Sequence, residues 1–214
     1  TGTVPVTDNI PVDLLSPPLS INFQPAGSGS AGSGSIASVG LAFGERNGIS
    51  AGFEVDNAAA TRIRNNPRSP DFRYDTFVKL RDGGVNHTWE VAVPNGLYEV
   101  RVVAGDPNAT NSIYKISLEG VLALQGTPHD DVRWFRRTVN VRVSDGRLTV
   151  GNARGARNNK LAFLDIRPAK LGAEPGNVTQ DIGVHLLPAP TARTSAFHWT
   201  FGDLFSRERI NDLT

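Results

Sequence analysis

Between Asp71 and Gly105 the hydrophobic residues recur at every second position, and that period limits what the chain can become. Tyr98, Val100, Val102 and Ala104 alternate with Glu99 and Arg101. This is the pattern of a strand with one face buried and the other in water. Trp89, Val91 and Val93 alternate in the same way, and Pro94-Asn95-Gly96 separates the two runs, a spacing that predicts a β-hairpin. Further strands are predicted near 19–24, 73–80, 112–118, 121–125, 135–143, 147–151 and 160–166. Asp145-Gly146 has the chemistry of a hairpin turn, since both residues tolerate positive φ, and Glu119-Gly120 marks a similar tight turn. Leu161 to Ile166 is apolar on both faces apart from Asp165, as a central strand would be. Eight or nine short strands with no helix between them predict an all-β fold, a jelly-roll β-sandwich.

Composition narrows the function classes. Hydrophobic residues make up 39% and charged residues 20%, the balance of a globular chain rather than a disordered or membrane one. A net charge of +1 provides no long-range field for capturing nucleic acid, so no nucleic-acid partner is expected. No run reaches the roughly 18 to 20 apolar residues of a membrane helix. The chain has no cysteine, which removes disulfides and thiolate metal sites. It opens at Thr1 and has no methionine, as a chain trimmed of a signal peptide or cut as a fragment would.

Three segments divide the chain. Residues 1–18 carry Pro5, Pro11, Pro17 and Pro18 and are expected to form an extended arm or linker. Residues 19–167 hold the predicted sandwich. Residues 168–214 read as a linker followed by a tail, with strands over 182–187 and 195–201 and a short helix over 204–213 capped by Asp203. Within the sandwich, Gly27, Gly29 and Gly32 match a dinucleotide-binding spacing, but no helical period follows to aim a dipole at a phosphate. Low-complexity loop is the better reading of 26–35. Residues 40–70 show few strand signals, and a loop of that length is unusual unless functional.

Ile21-Asn-Phe-Gln-Pro25, Ala42-Phe-Gly44, Thr61-Arg62, Asp71-x-Arg-Tyr-Asp-Thr76, Trp89-Glu-Val-Ala-Val-Pro-Asn-Gly96, Val103-Ala-Gly-Asp-Pro107, Arg133-Trp134, Asp145-Gly-Arg-Leu-Thr149 and Asn158-Asn-Lys160 occur in an order that resembles a malectin-like module over about 19–167. The resemblance implies a galactose-binding-domain-like jelly roll and a carbohydrate-binding or accessory role in secreted bacterial proteins, often beside polysaccharide-degrading domains. It departs at Ala51-Gly52-Phe53, where the family commonly carries Tyr-Gly-Trp.

The function expected is therefore that of a non-catalytic carbohydrate-binding module of a secreted or cell-surface protein, with a polysaccharide or other glycan as partner. The alternative is a structural or adhesive subunit of an extracellular assembly, its terminal segments pairing with neighbours. Arg64, Arg73, Tyr74, Trp134 and Asn159 are the candidate sugar-binding residues, as guanidinium, hydroxyl and amide groups bond sugar hydroxyls and an exposed indole stacks on a pyranose. Asp71, Arg73 and Asp75 have a second reading, as a ladder tying the long loop to the sheet. Asp56, Asp71, Asp75 and Asp165 are candidate ligands of a structural calcium ion. His87, His129, His185 and His198 lack paired zinc spacing, and no nucleophile elbow occurs. No enzyme activity is expected.

Overall fold

The computed structural model describes residues 18–188 apart from Ser33 and Asn177. In chain order the strands are β1 Leu19–Phe23, β2 Ile36–Ser38, β3 Gly44–Arg46, β4 Ile49–Phe53, β5 Thr61–Ile63, β6 Thr76–Lys79, β7 Arg81–Asp82, β8 Val85–Asn86, β9 Trp89–Ala92, β10 Gly96–Gly105, β11 Tyr114–Leu118, β12 Val121–Gly126, β13 Val132–Val143, β14 Arg147–Asn152, β15 Lys160–Leu161, β16 Phe163–Pro168 and β17 Val178–His185. A 3-10 turn covers Ala58–Ala60, and α1, Phe72–Asp75, is a single helical turn.

Two six-stranded sheets carry the fold. The first runs β17-β13-β10-β16-β1-β2 and the second β12-β11-β14-β9-β4-β3. Every pairing in them is antiparallel except β1 with β2. Tyr98, Val100, Val102 and Ala104 of the first sheet share one buried cluster with Trp89, Val91, Ile116 and Val150 of the second. The apolar half of each alternating run thus faces inward, and the all-β sandwich expected from the sequence is formed. Full burial of each such side chain stabilises the fold by about 1.5–3 kcal/mol.

Two predicted hairpins are instead crossings between sheets. β9 pairs with β14 and β4, whereas β10 pairs with β13 and β16, so Pro94-Asn95-Gly96 carries the chain from the second sheet to the first. Asp145-Gly146 returns it, from β13 to β14. The two crossings lie side by side: Asn95 Oδ1 accepts from Gly146 N at 2.7 Å, and Val93 N donates to Gly146 O at 3.0 Å. Alternation records that a strand has one buried face, but strands on either side of a core satisfy it equally. Glu119-Gly120 is a true hairpin turn, with φ of 50° and 74° joining β11 to β12.

Residues 40–70 are more ordered than their sequence suggests. β3 and β4 form a hairpin on the rim of the second sheet, and β5 pairs with β6. Their strands are short, and their apolar partners, Trp89 and Val91 among them, come from β9. Phe53 is fully buried, and a Cβ on Gly52 would stand 2.6 Å from the Ala42 backbone, so the Ala51-Gly52-Phe53 stretch belongs to the core. The strand expected over 73–80 begins only at Thr76, because Phe72–Asp75 coils into α1 with the Asp71 carboxylate capping Arg73 N at 2.8 Å.

A second, smaller core lies on the outer face of the first sheet. Trp134, Val103 and Phe163 project there and are covered by Tyr74 of α1 and by Phe77. Tyr74 meets Trp134 and Phe163 edge-on, with ring centroids 5.5 and 5.0 Å apart. The strand expected over 182–187 appears as β17, which joins the sheet beside β13. The arm expected over 1–18, apart from Pro18, and the predicted strand and helix after residue 188 lie outside the described residues.

Candidate functional site

Beyond this small core the outer face of the first sheet stays open and becomes polar. Register places Ser20, Asp165, Arg101 and Thr138 in one row across β1, β16, β10 and β13, with Arg167, Glu99 and Asn140 in the next. These are the polar halves of strands whose other halves build the core. All of them but Asn140 line a shallow groove of about 410 Å³, completed by Ile166, Pro18 and Leu19.

Arg73 of α1 stands beside the groove and meets Asp165 of its lining. Its guanidinium lies 4.2 Å from the centre of the Phe163 ring, and that of Arg101 lies 5.4 Å from the same ring. Both address Asp165, Arg73 Nη1 at 3.1 Å and Arg101 Nη1 at 3.5 Å. Ser20 Oγ donates to Asp165 Oδ1 at 2.7 Å, and Arg101 Nη2 donates to Tyr74 Oη at 3.3 Å. Glu99 pairs with Arg167 in the next row. Arg73, Arg101 and Asp165 are 23%, 33% and 33% exposed, so each ion pair adds about 0–1 kcal/mol to stability. Their main consequence is position: cation–π contact with Phe163 and the shared Asp165 hold both guanidinium groups beside the groove. The groove presents cationic donors, hydroxyls and carboxylate acceptors on a rigid sheet.

Of the five expected sugar-binding residues, Arg73 and Tyr74 stand beside this groove, in contact with Asp165 and Arg101 of its lining. Of the other three, Trp134 and Asn159 are internal and Arg64 is half-buried. Trp134 is fully buried and donates from Nε1 to Tyr74 O at 2.9 Å, so it is not the exposed ring expected of it. β13 already begins at Val132, and its pleat turns the indole under α1. Asn159, also fully buried, accepts from Lys115 N at 3.1 Å and donates to Lys115 O at 2.8 Å and Asn152 Oδ1 at 2.9 Å. It fastens the chain before β15 to β11.

Arg64, itself half-buried, closes a charge cluster built on the buried Asp106 and Lys160. Its Nε and Nη2 donate to the two carboxylate oxygens of Asp106 at 2.9 and 2.6 Å, and Lys160 Nζ donates to Asp106 Oδ2 at 2.8 Å. Burial pushes the Asp106 carboxyl up, but Arg64 and Lys160 outweigh it and hold the group below its usual range. The Asp106 hydrogen bond raises the Arg64 pKa against the effect of burial. Burial lowers that of Lys160, and Asp106 offsets this only in part.

The four aspartates expected to ligate calcium have separate tasks. Asp56 accepts from Ala58 N at 3.0 Å, and Asp71 caps α1. Asp75 clamps the 65–69 loop through Asn65 N, Asn66 N and Ser69 Oγ at 2.6, 2.9 and 2.9 Å. Asp165 sits in the groove. Among the described residues no three His, Asp or Glu side chains are grouped to hold a metal ion. The loop-to-sheet ladder is therefore the better account of Asp75, whereas Arg73 and Asp165 meet beside the groove. Arg101, Glu99, Ser20, Thr138 and Arg167 escaped sequence reasoning as site residues. The signal available was the polar half of the alternation, visible at Glu99 and Arg101 but uninterpretable without the strand register.

No family model and no curated protein matches this sequence. Among solved structures, the YXIM protein of Bacillus subtilis is 24% identical, with a TM-score of 0.51 over 71% of this chain and 40% of that one. The plant receptor-like kinase FER is 16% identical, with a TM-score of 0.47 over 71% of this chain and 42% of its own. The chain thus matches less than half the length of either protein. The likeness to the Bacillus protein is one of fold.

Proposed function

We propose that this chain is a non-catalytic carbohydrate-binding module, acting outside the cell, that holds a glycan in the groove on the outer face of its first sheet. The observation that carries this reading is the pair Arg73 and Arg101, held over Phe163 beside Asp165, Ser20 and Glu99 of the groove. Side chains on a sheet recur about 5 Å apart across strands and about 7 Å apart along them, a lattice on the scale of a sugar ring and its neighbour. The sequence resemblance to malectin-like modules supports the glycan class. All described tryptophan and tyrosine rings are buried, so recognition rests on hydrogen bonds to hydroxyls instead of stacking on an exposed indole. Affinity electrophoresis on a panel of soluble polysaccharides tests the reading. Retention by at least one polymer is expected, weakened about tenfold in Arg101→Gln, the loss of one charge-assisted hydrogen bond. A folded protein that no glycan retards would remove it.

A second reading, a structural or adhesive subunit, draws on a different surface. β12 is an edge strand of the second sheet, and its Val121 and Leu122 are 63% and 41% exposed. Among the described residues no strand pairs with this edge, though Ala123 O accepts from Arg137 Nη1, and an edge with apolar side chains is suited to strand addition by a neighbour.

A further inference from the structure

We infer that the side of the sandwich between β2 and the β3–β4 hairpin binds a medium-chain carboxylate, its alkyl tail in a cavity lined by both sheets and its headgroup on Arg46. This site is separate from the groove and does not rest on the glycan reading. β2 ends the first sheet and β3 ends the second. The chain crosses from one to the other over residues 39–43, and a cavity of about 280 Å³ is lined by β2, by Val39 and Leu41 of that crossing, and by the hairpin. It reaches Ile21 and Trp89 of the main core, and its other apolar contacts include Ile36 and Ile49. Trp89 Nε1 donates to Ser38 Oγ at 3.1 Å, so the indole N–H already has its partner. An apolar cavity of about 150 Å³ holds one benzene ring, so this one has room for roughly eight to ten carbon atoms.

Charge selects the headgroup. Among the described residues of this lining Arg46 is the one charged side chain, and it is exposed. Its guanidinium is anchored on the backbone: Nη2 donates to Ala42 O at 2.9 Å, and Nη1 to Ala51 O at 3.2 Å and to Gly44 O at 3.4 Å. These carbonyls fix where the cation stands without neutralising it, and among the described residues Arg46 makes no ion pair. Glu45 precedes it in β3, but the pleat turns successive side chains to opposite faces, and Glu45 is not part of the lining. A guanidinium has five N–H donors, and at most three are used here, so the rest remain for a carboxylate. Asn47, at φ 55° in the turn of the hairpin, lines the same cavity and adds an amide donor. An aliphatic cavity with one cation at its side is complementary to a molecule apolar along its length and anionic at one end. A sugar placed there would set its hydroxyls against aliphatic walls without hydrogen-bond partners.

The test uses the full chain with octanoate, 1-octanol, octyltrimethylammonium and acetate, each below its aggregation concentration, in titration calorimetry and in methyl-labelled NMR spectra. Saturable octanoate binding is expected, tighter than that of octanol by about threefold or more, the scale of one exposed ion pair. Acetate, which lacks the tail, and the alkylammonium, which carries the wrong charge, are expected not to saturate. Octanoate should move the methyl resonances of Ile36, Ile49 and Val39 and leave those of Val121 and Leu122 on β12 in place. The preference for octanoate over octanol should vanish in Arg46→Gln, with thermal transitions to establish that the variant folds; the ligand comparison and the spectra need no variant. No saturable octanoate binding overturns the inference. So does octanol or the alkylammonium binding as tightly as octanoate, which would show an apolar surface without a headgroup site, and so does acetate binding as tightly, which would show an anion site without a tail. Methyl shifts at Val121 and Leu122 that match or exceed those at Ile36 and Ile49 overturn it by placing the ligand at β12, and a preference kept by folded Arg46→Gln overturns the assignment of the headgroup. Each of these outcomes leaves the glycan reading of the groove where it stood.

Discussion

Asp106 has no exposed surface and stays ionised because two cations meet it. Arg64 occupies both of its oxygens and Asn108 N adds a third bond at 3.0 Å, so Lys160 is the dispensable partner. Removing the carboxylate leaves the buried Lys160 and the half-buried Arg64 without compensation. Asp106→Ala is accordingly expected to cost about 3–5 kcal/mol, and Lys160→Met about 1 kcal/mol or less, in denaturant unfolding. The folded pKa of Asp106 lies below its unfolded value, so its contribution is complete above about pH 4 and is lost as pH falls through the folded pKa. The melting temperature should hold above that pH and fall below it, with a shallower acid slope in Asp106→Asn; equal slopes would refute the assignment. Little of this is legible in the sequence, where Asp106 is one carboxylate in Gly105-Asp106-Pro107. Its partners stand 42 and 54 residues away and are brought to it by sheet register.

The elements themselves were far more legible, because strands of five residues or more write their pleat into the sequence. β10 is the clearest case: its buried and half-buried residues alternate from Gly96 through Val102. α1 was missed for the opposite reason, since four residues are too few to display a helical period. That short turn nonetheless decides the function proposed for this face. It covers Trp134 and Phe163 with Tyr74 and places Arg73 beside the groove. The arrangement depends on Gly105, directly across from Trp134 in the β10–β13 pair. A Cβ there would lie 1.8 Å from the indole Cδ1, so any side chain must expel the ring. Gly105→Ala is expected to destabilise the fold by about 1–3 kcal/mol or more and to shift tryptophan emission to the red as Trp134 gains water. An unchanged melting temperature and spectrum would show that the indole has another place to go.

For the whole molecule, the two sheets leave edges that the groove does not use. β12 closes one side of the second sheet, beside a cavity of about 380 Å³ that reaches Val139, Val141 and Pro175. If the chain works as an assembly subunit, sedimentation should show a larger species that grows with concentration and is lost in Val121→Glu. A monomer at every concentration would leave the glycan groove as the proposal that stands. The all-β sandwich, the positions of its long strands and the inward half of each were determined by the amino-acid sequence alone, because a two-residue period admits only one regular structure with a single buried face. Which sheet each strand enters was decided by tertiary packing, and Pro94-Asn95-Gly96 and Asp145-Gly146 became crossings in place of hairpins. The candidate site was decided there too. Ser20, Arg73, Arg101 and Asp165 come from four separate segments, and only the register of β1, β16 and β10, with α1 folded over Phe163, sets their side chains against one another.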